Sequence, residues 1–72
     1  MSAVVSISSN PTGADIEVDG NYVGSTPSTI QLKPGEHEIL ITKKGFQDWQ
    51  RKMNVTGGNI NVTANLDMTK PQ

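Results

Sequence analysis

Between Asn10 and Pro27 the chain reads NPTGADIEVDGNYVGSTP, two turn signals enclosing a short alternation of apolar and acidic residues. Asn10-Pro11-Thr12-Gly13 is a four-residue turn. Proline pre-sets φ at its second position, asparagine bonds its own following backbone, and Gly13 takes the last place, where a positive φ costs least. Ala14, Ile16 and Val18 then alternate with Asp15, Glu17 and Asp19, the period of two of a half-buried strand. Asp19-Gly20-Asn21 is a strong short-range hairpin signal, and Tyr22-Val23 begins a return strand that Gly24-Ser25-Thr26-Pro27 stops almost at once. A chain punctuated this often has no room for a helix of ordinary length.

The remaining sequence repeats the pattern. Ala3 to Ser9 is a strand with Val5 and Ile7 on one face and Val4, Ser6 and Ser8 on the other. Ser28 to Lys33 carries Ile30 and Leu32 and ends at a Pro34-Gly35 turn. Glu36 to Lys43 points His37, Ile39 and Ile41 one way, and Lys44-Gly45-Phe46 breaks it. Gln47 to Val55 places Trp49, Arg51, Met53 and Val55 on one side, and Thr56-Gly57-Gly58-Asn59 reads as a hairpin loop. Ile60, Val62, Ala64, Leu66 and Met68 then alternate with polar residues, the cleanest period of two in the chain. Nowhere do apolar residues recur at i, i+3, i+4 and i+7. The expectation is all-β: a small antiparallel β-sandwich of six or seven short strands, with no helix, spanning 1–68 as one domain and leaving 69–72 as a tail.

Composition narrows the chemistry. The chain has 72 residues, a net charge of −1 and no cysteine, so disulfides, thiolate metal sites and cysteine nucleophiles are excluded. Near-neutral charge argues against nucleic acid as an electrostatic partner. No apolar run approaches the roughly 18 residues that span a bilayer, so no direct membrane insertion is expected. Met1-Ser2-Ala3 leads straight into a strand with no signal peptide, so a role outside the cytoplasm would make this chain part of a longer protein.

Several landmarks occur in a set order: Pro11-Thr12-Gly13-Ala14, Ile16-Glu17-Val18-Asp19-Gly20, Gly24-Ser25-Thr26-Pro27, Gly35-Glu36-His37 and Lys44-Gly45-Phe46. This run resembles PEGA domains from about Val4 to Leu66, with Thr12 standing where the family's glutamate would be. The resemblance implies a prealbumin-like (transthyretin-like) β-sandwich of bacterial and archaeal surface or envelope proteins, often in tandem, with no established catalysis or common ligand.

Candidate sites follow from the residues themselves. Asp15, Glu17 and Asp19 approximate the start of a calcium loop, but Thr26 falls where a bidentate carboxylate is needed and Ile16 and Val18 need burial, so a solvated strand face is expected. His37 is the sole histidine; its parity with Ile39 and Ile41 suggests a partly buried ring held by a hydrogen bond, with no nucleophile singled out by spacing. No catalytic residue, metal site or cofactor is therefore assigned. Trp49 and Tyr22 could each be a platform for a sugar ring or a peptide; Trp49 reads as a core plug, whereas Tyr22, beside a hairpin tip, is left open between surface and interior. Lys43, Lys44, Arg51 and Lys52 flank the Gly45-Phe46 turn and would gather at one end if the strands on either side of it pair. With Tyr22 they are the candidate partner contacts. The functional expectation is a non-catalytic extracytoplasmic module that docks protein or spaces neighbouring domains, the alternative being a carbohydrate-binding module.

Overall fold

A computed structural model describes residues 2–69. Among them seven strands follow one another without a helix: β1 (Ala3–Asn10), β2 (Asp15–Val18), β3 (Asn21–Ser25), β4 (Ser28–Leu32), β5 (Gly35–Thr42), β6 (Trp49–Val55) and β7 (Gly58–Asn65). They form a three-stranded sheet, β4-β1-β7, facing a four-stranded sheet, β3-β2-β5-β6. The period of two predicted from the sequence is what closes this sandwich. Val5, Ile7, Ile16, Ile39, Ile41, Val55 and Val62 all point inward and are at most 1% exposed. Each such side chain contributes about 2 kcal/mol of burial, and the shared interior exists only because both sheets turn the same parity toward it. Positions 70–72 of the expected tail lie outside the described residues.

The tight hairpin between β2 and β3 is built as expected. Asp19 and Gly20 take φ of 53° and 86°, the left-handed pair that a two-residue turn of matching twist requires. The return strand, however, does not stop at Gly24. Ile16 pairs with Gly24 but Glu17 pairs with Tyr22, so Val23 is an extra residue in a bulge and β3 continues to Ser25. The bulge turns Val23 outward, 41% exposed, although an aliphatic side chain on a strand is an ordinary core candidate.

Two further expectations are corrected by the topology. Thr56-Gly57 is not a hairpin loop: it carries the chain from β6 in one sheet to β7 in the other. An arch between layers and a hairpin within one both need glycine, here at φ 131° and 77° for Gly57 and Gly58, so the turn residues do not tell them apart. As a result β7 lies beside β1 in the same direction, from Ala3 opposite Gly58 to Asn10 opposite Asn65, the one parallel pair in an otherwise antiparallel sandwich. The second correction concerns Trp49. It packs against the core but stays half-buried, because β6 is an edge strand with a neighbour on one side only. Arg51 on the same face is exposed and sits 5.9 Å from the Trp49 ring centroid, covering the indole with its guanidinium.

A buried hydroxyl relay ties the turns to the sheets. The Ser9 hydroxyl donates to the Pro11 carbonyl at 2.7 Å, which leaves its oxygen to accept from Thr26 at 2.6 Å. The Thr26 oxygen accepts in turn from the Ala14 amide at 3.0 Å. Every proton has one destination, so the relay has one direction. The Thr26 backbone adds a donation to the Ala14 carbonyl at 2.8 Å and accepts from the Gly13 amide at 3.1 Å. Thr26→Val keeps the shape but orphans the Ala14 donor, and a buried unsatisfied donor costs about 1–3 kcal/mol beyond the lost bond. Urea unfolding followed by tryptophan fluorescence should show a loss of about 2–3 kcal/mol for Thr26→Val and a clearly smaller loss for Thr26→Ser, which retains the hydroxyl.

Candidate functional site

The candidate residues spread over three places in the sandwich. At the tip of the β2–β3 hairpin, the positive φ of Asp19 swings its carboxylate out of the acidic row and toward the start of β5. Its Oδ1 accepts the Glu38 amide at 2.9 Å, and its Oδ2 lies 2.6 Å from His37 Nδ1. The other ring nitrogen, Nε2, is 2.7 Å from the Lys33 carbonyl oxygen. The histidine thus clasps the hairpin to the β4–β5 connection, and the expected partly buried, hydrogen-bonded ring is found. Its partner was not legible: Asp19 is eighteen residues away, and alternation assigned it to a solvated face. Asp15 keeps that exposed position and Glu17 is half-buried beside it, facing Thr42 and Leu40 of β5. The row is therefore divided, with both Asp19 oxygens committed to protein donors.

The chemistry of the clasp is one-sided. Both imidazole nitrogens face acceptors, so the doubly protonated ring satisfies the site best. The hydrogen bond to Asp19 and then that to the Lys33 carbonyl raise the His37 pKa above its ordinary value. The Glu38 amide, followed by His37, holds the Asp19 carboxyl below the usual aspartate range. Both ring nitrogens are engaged by acceptors of the protein itself, so neither is open to take a proton from a bound molecule.

Tyr22 is 64% exposed on the outer face of β3, its hydroxyl 3.3 Å from Ser25 Oγ. The four basic residues do not form one cluster. Although β5 and β6 pair as expected, Trp49 stands opposite Ile41, so Arg51 and Lys52 fall further along, opposite Ile39 and Glu38. Arg51 lies on the inward face and Lys52 on the outward one, because strand side chains alternate. Lys44 is exposed beyond the end of β5, whereas half-buried Lys43 lays its Nζ over the first turn, 3.7 Å from the point where a Cβ on Gly13 would sit. That distance is ordinary contact, so it is the positive φ of 86° that asks for glycine here.

The two surfaces that sequence reasoning missed belong to the three-stranded sheet. Its outer face presents Ser6, Ser8, Thr29, Gln31, Asn59, Asn61 and Thr63 around Val4, a mostly polar array without a formal charge. A shallow groove of about 650 Å³ crosses this face, walled by Ser6, Ser8, Thr29, Asn61 and Thr63. The sheet's two edges are β4, only five residues long, and β7, eight residues long with no charge, proline or bulge. The edge of β6, by contrast, is guarded by Arg51 and Lys52, and that of β3 by its bulge. Composition of a strand is readable from sequence, but edge position follows from strand order.

These features define a small β-sandwich module whose polar groups are spent mostly on its own turns. A PEGA-domain family model matches residues 2–71, and the chain belongs to that family, one of non-catalytic modules found in extracellular and surface proteins. No curated protein matches it. Among the described residues no helix is long and apolar enough to cross a membrane.

The clasp makes stability depend on pH with a definite sign. Because folding raises the His37 pKa, its contribution is complete below the unfolded value of about 6.5 and is lost as pH rises through the folded value. The depressed Asp19 contributes above its unfolded value and loses that contribution as pH falls through the folded one. Urea midpoints measured from pH 5.5 to 9 should therefore decline with rising pH, and His37→Gln should flatten that decline.

Proposed function

We propose that the chain is a non-catalytic docking and spacing module of an extracytoplasmic surface or envelope protein, and that the open edge of β7 is where a partner polypeptide adds. The observation that carries this reading is the contrast between edges. β7 is long, regular and uncharged, whereas β4 is uncharged but only five residues long and β6 and β3 each carry a device that discourages pairing. Every second residue of such an edge directs both its N–H and its C=O outward, and an extended segment satisfies them as the next strand would. Ile60, half-buried on the inward face of β7, offers such a segment an apolar neighbour. Photo-cross-linkers placed at Asn61 and at Tyr22 of the whole chain test this. Adducts with a protein of the same surface that arise from Asn61 and are absent from Tyr22 are expected; the absence of protein adducts at both positions removes the reading.

A second reading, carbohydrate binding, is favoured by Tyr22, whose ring is exposed and whose hydroxyl is already oriented by Ser25. An aromatic face with a fixed polar tip suits a sugar ring. On a glycan array, this reading expects retention that falls at least tenfold with Tyr22→Ala while the fold is preserved. Flat binding for both proteins leaves protein docking alone.

A further inference from the structure

The terminal strands of this domain are neighbours, run in the same direction and stay in register over their whole length. Ala3 enters β1 at one pole of the sandwich, opposite Gly58, and β7 leaves at the other pole, where Asn65 lies opposite Asn10. We infer that the domain is built to carry tension between its two poles, with the β1–β7 ladder as the element that resists. This rests on the spacer part of the functional reading and adds the physical demand a spacer must meet.

The argument is one of direction. Tension applied through the ends draws β1 out past Ala3 and β7 out past Asn65, so the two strands are displaced along their own axes. The bonds of a parallel ladder run across that axis, slanted and evenly spaced, and no single one can break ahead of its neighbours. Had the two strands been antiparallel hairpin partners, the same tension would have opened their bonds one at a time from the free end.

The surroundings of the ladder favour the same outcome. β1 is the central strand of its sheet, pinned on its other side by five antiparallel residue pairs with β4, from Ala3–Leu32 to Ile7–Ser28. Five inward side chains of the two strands, Ala3, Val5, Ile7, Val62 and Ala64, are at most 1% exposed, which keeps water from most of that side of the bonds, Ile60 being half-buried. Beyond β7 the segment Leu66 to Thr69 is latched separately. The Leu66 amide donates to Asn10, Gln47 donates to Asp67 at 2.7 Å, Thr69 donates to Gly45 at 3.1 Å, and Met68 bridges Phe46. Past buried Leu66 this latch is short and exposed, and it gives way before the ladder does.

The absence of cysteine makes the test clean, because an engineered pair is unique in the chain. Single-molecule force spectroscopy on the whole domain compares two pulling directions. Tension through the natural ends shears the ladder; tension through Ser2→Cys and Asn59→Cys, which sit at the same pole, opens it from one end. The expected result is a rupture force severalfold higher through the ends, preceded by a small extension from the latch. His37→Gln, which touches neither strand, should lower the urea midpoint near neutral pH and leave the end-to-end force unchanged. Equal forces in the two directions, or a lower force through the ends, overturn the inference while leaving protein docking to its own cross-linking test.

Discussion

The Thr26 hydroxyl is the contact on which the remaining geometry depends. One oxygen receives the Ala14 amide and gives its proton to Ser9, which passes its own to Pro11. Those partners belong to the last residues of β1, to the first turn and to the corner between β3 and β4. Hydrophobic burial is non-directional, and this joint adds directed bonds at the corner where the chain passes between the sheets. The polar relay supplies direction where the core supplies cohesion.

The polar side chains of this protein are mostly occupied with the fold. Asp19 and His37 lock a hairpin tip to a loop, and Ser9 and Thr26 join turns. Arg51 shields an indole, and Lys43 lies across a glycine turn. Each of these residue types could serve catalysis in another setting. Here their protons and lone pairs already have fixed destinations, and what is left unassigned is the surface of β7 and the face beside it. Function is therefore sought at backbone edges and flat polar faces rather than in a cleft.

Much of this was legible in the sequence. Alternation located the strands and nearly all of the core, and the Asp19-Gly20 turn was read correctly because local residues alone determine it. The order of landmarks identified the family. What escaped were properties set by distant parts of the chain. Val23 was an aliphatic core candidate until a bulge turned it out, and Trp49 had core parity on a strand that became an edge. Gly57 and Gly58 signalled a turn without saying whether the chain would return within its sheet or cross to the other. The Asp19–His37 contact and the Thr26 relay join residues that only the register brings together. The candidate basic cluster dissolved for the same reason, because a shift of a few residues along β6 decides which pole a side chain reaches.

The two outer faces of the sandwich give it unlike electrical characters. One side offers serine, threonine, asparagine and glutamine around Val4, with no charge, while the other carries Asp15, Glu17, Glu36 and Glu38 with Lys52 among them. Ions in the medium screen charges over about 8–10 Å at ordinary salt, so whatever rests on the acidic side is held more weakly in brine than in dilute buffer. Attachment to the neutral side is indifferent to that change. For a cell that met both fresh and salty water, a contact made on the acidic face would loosen in the salt and one made on the neutral face would hold.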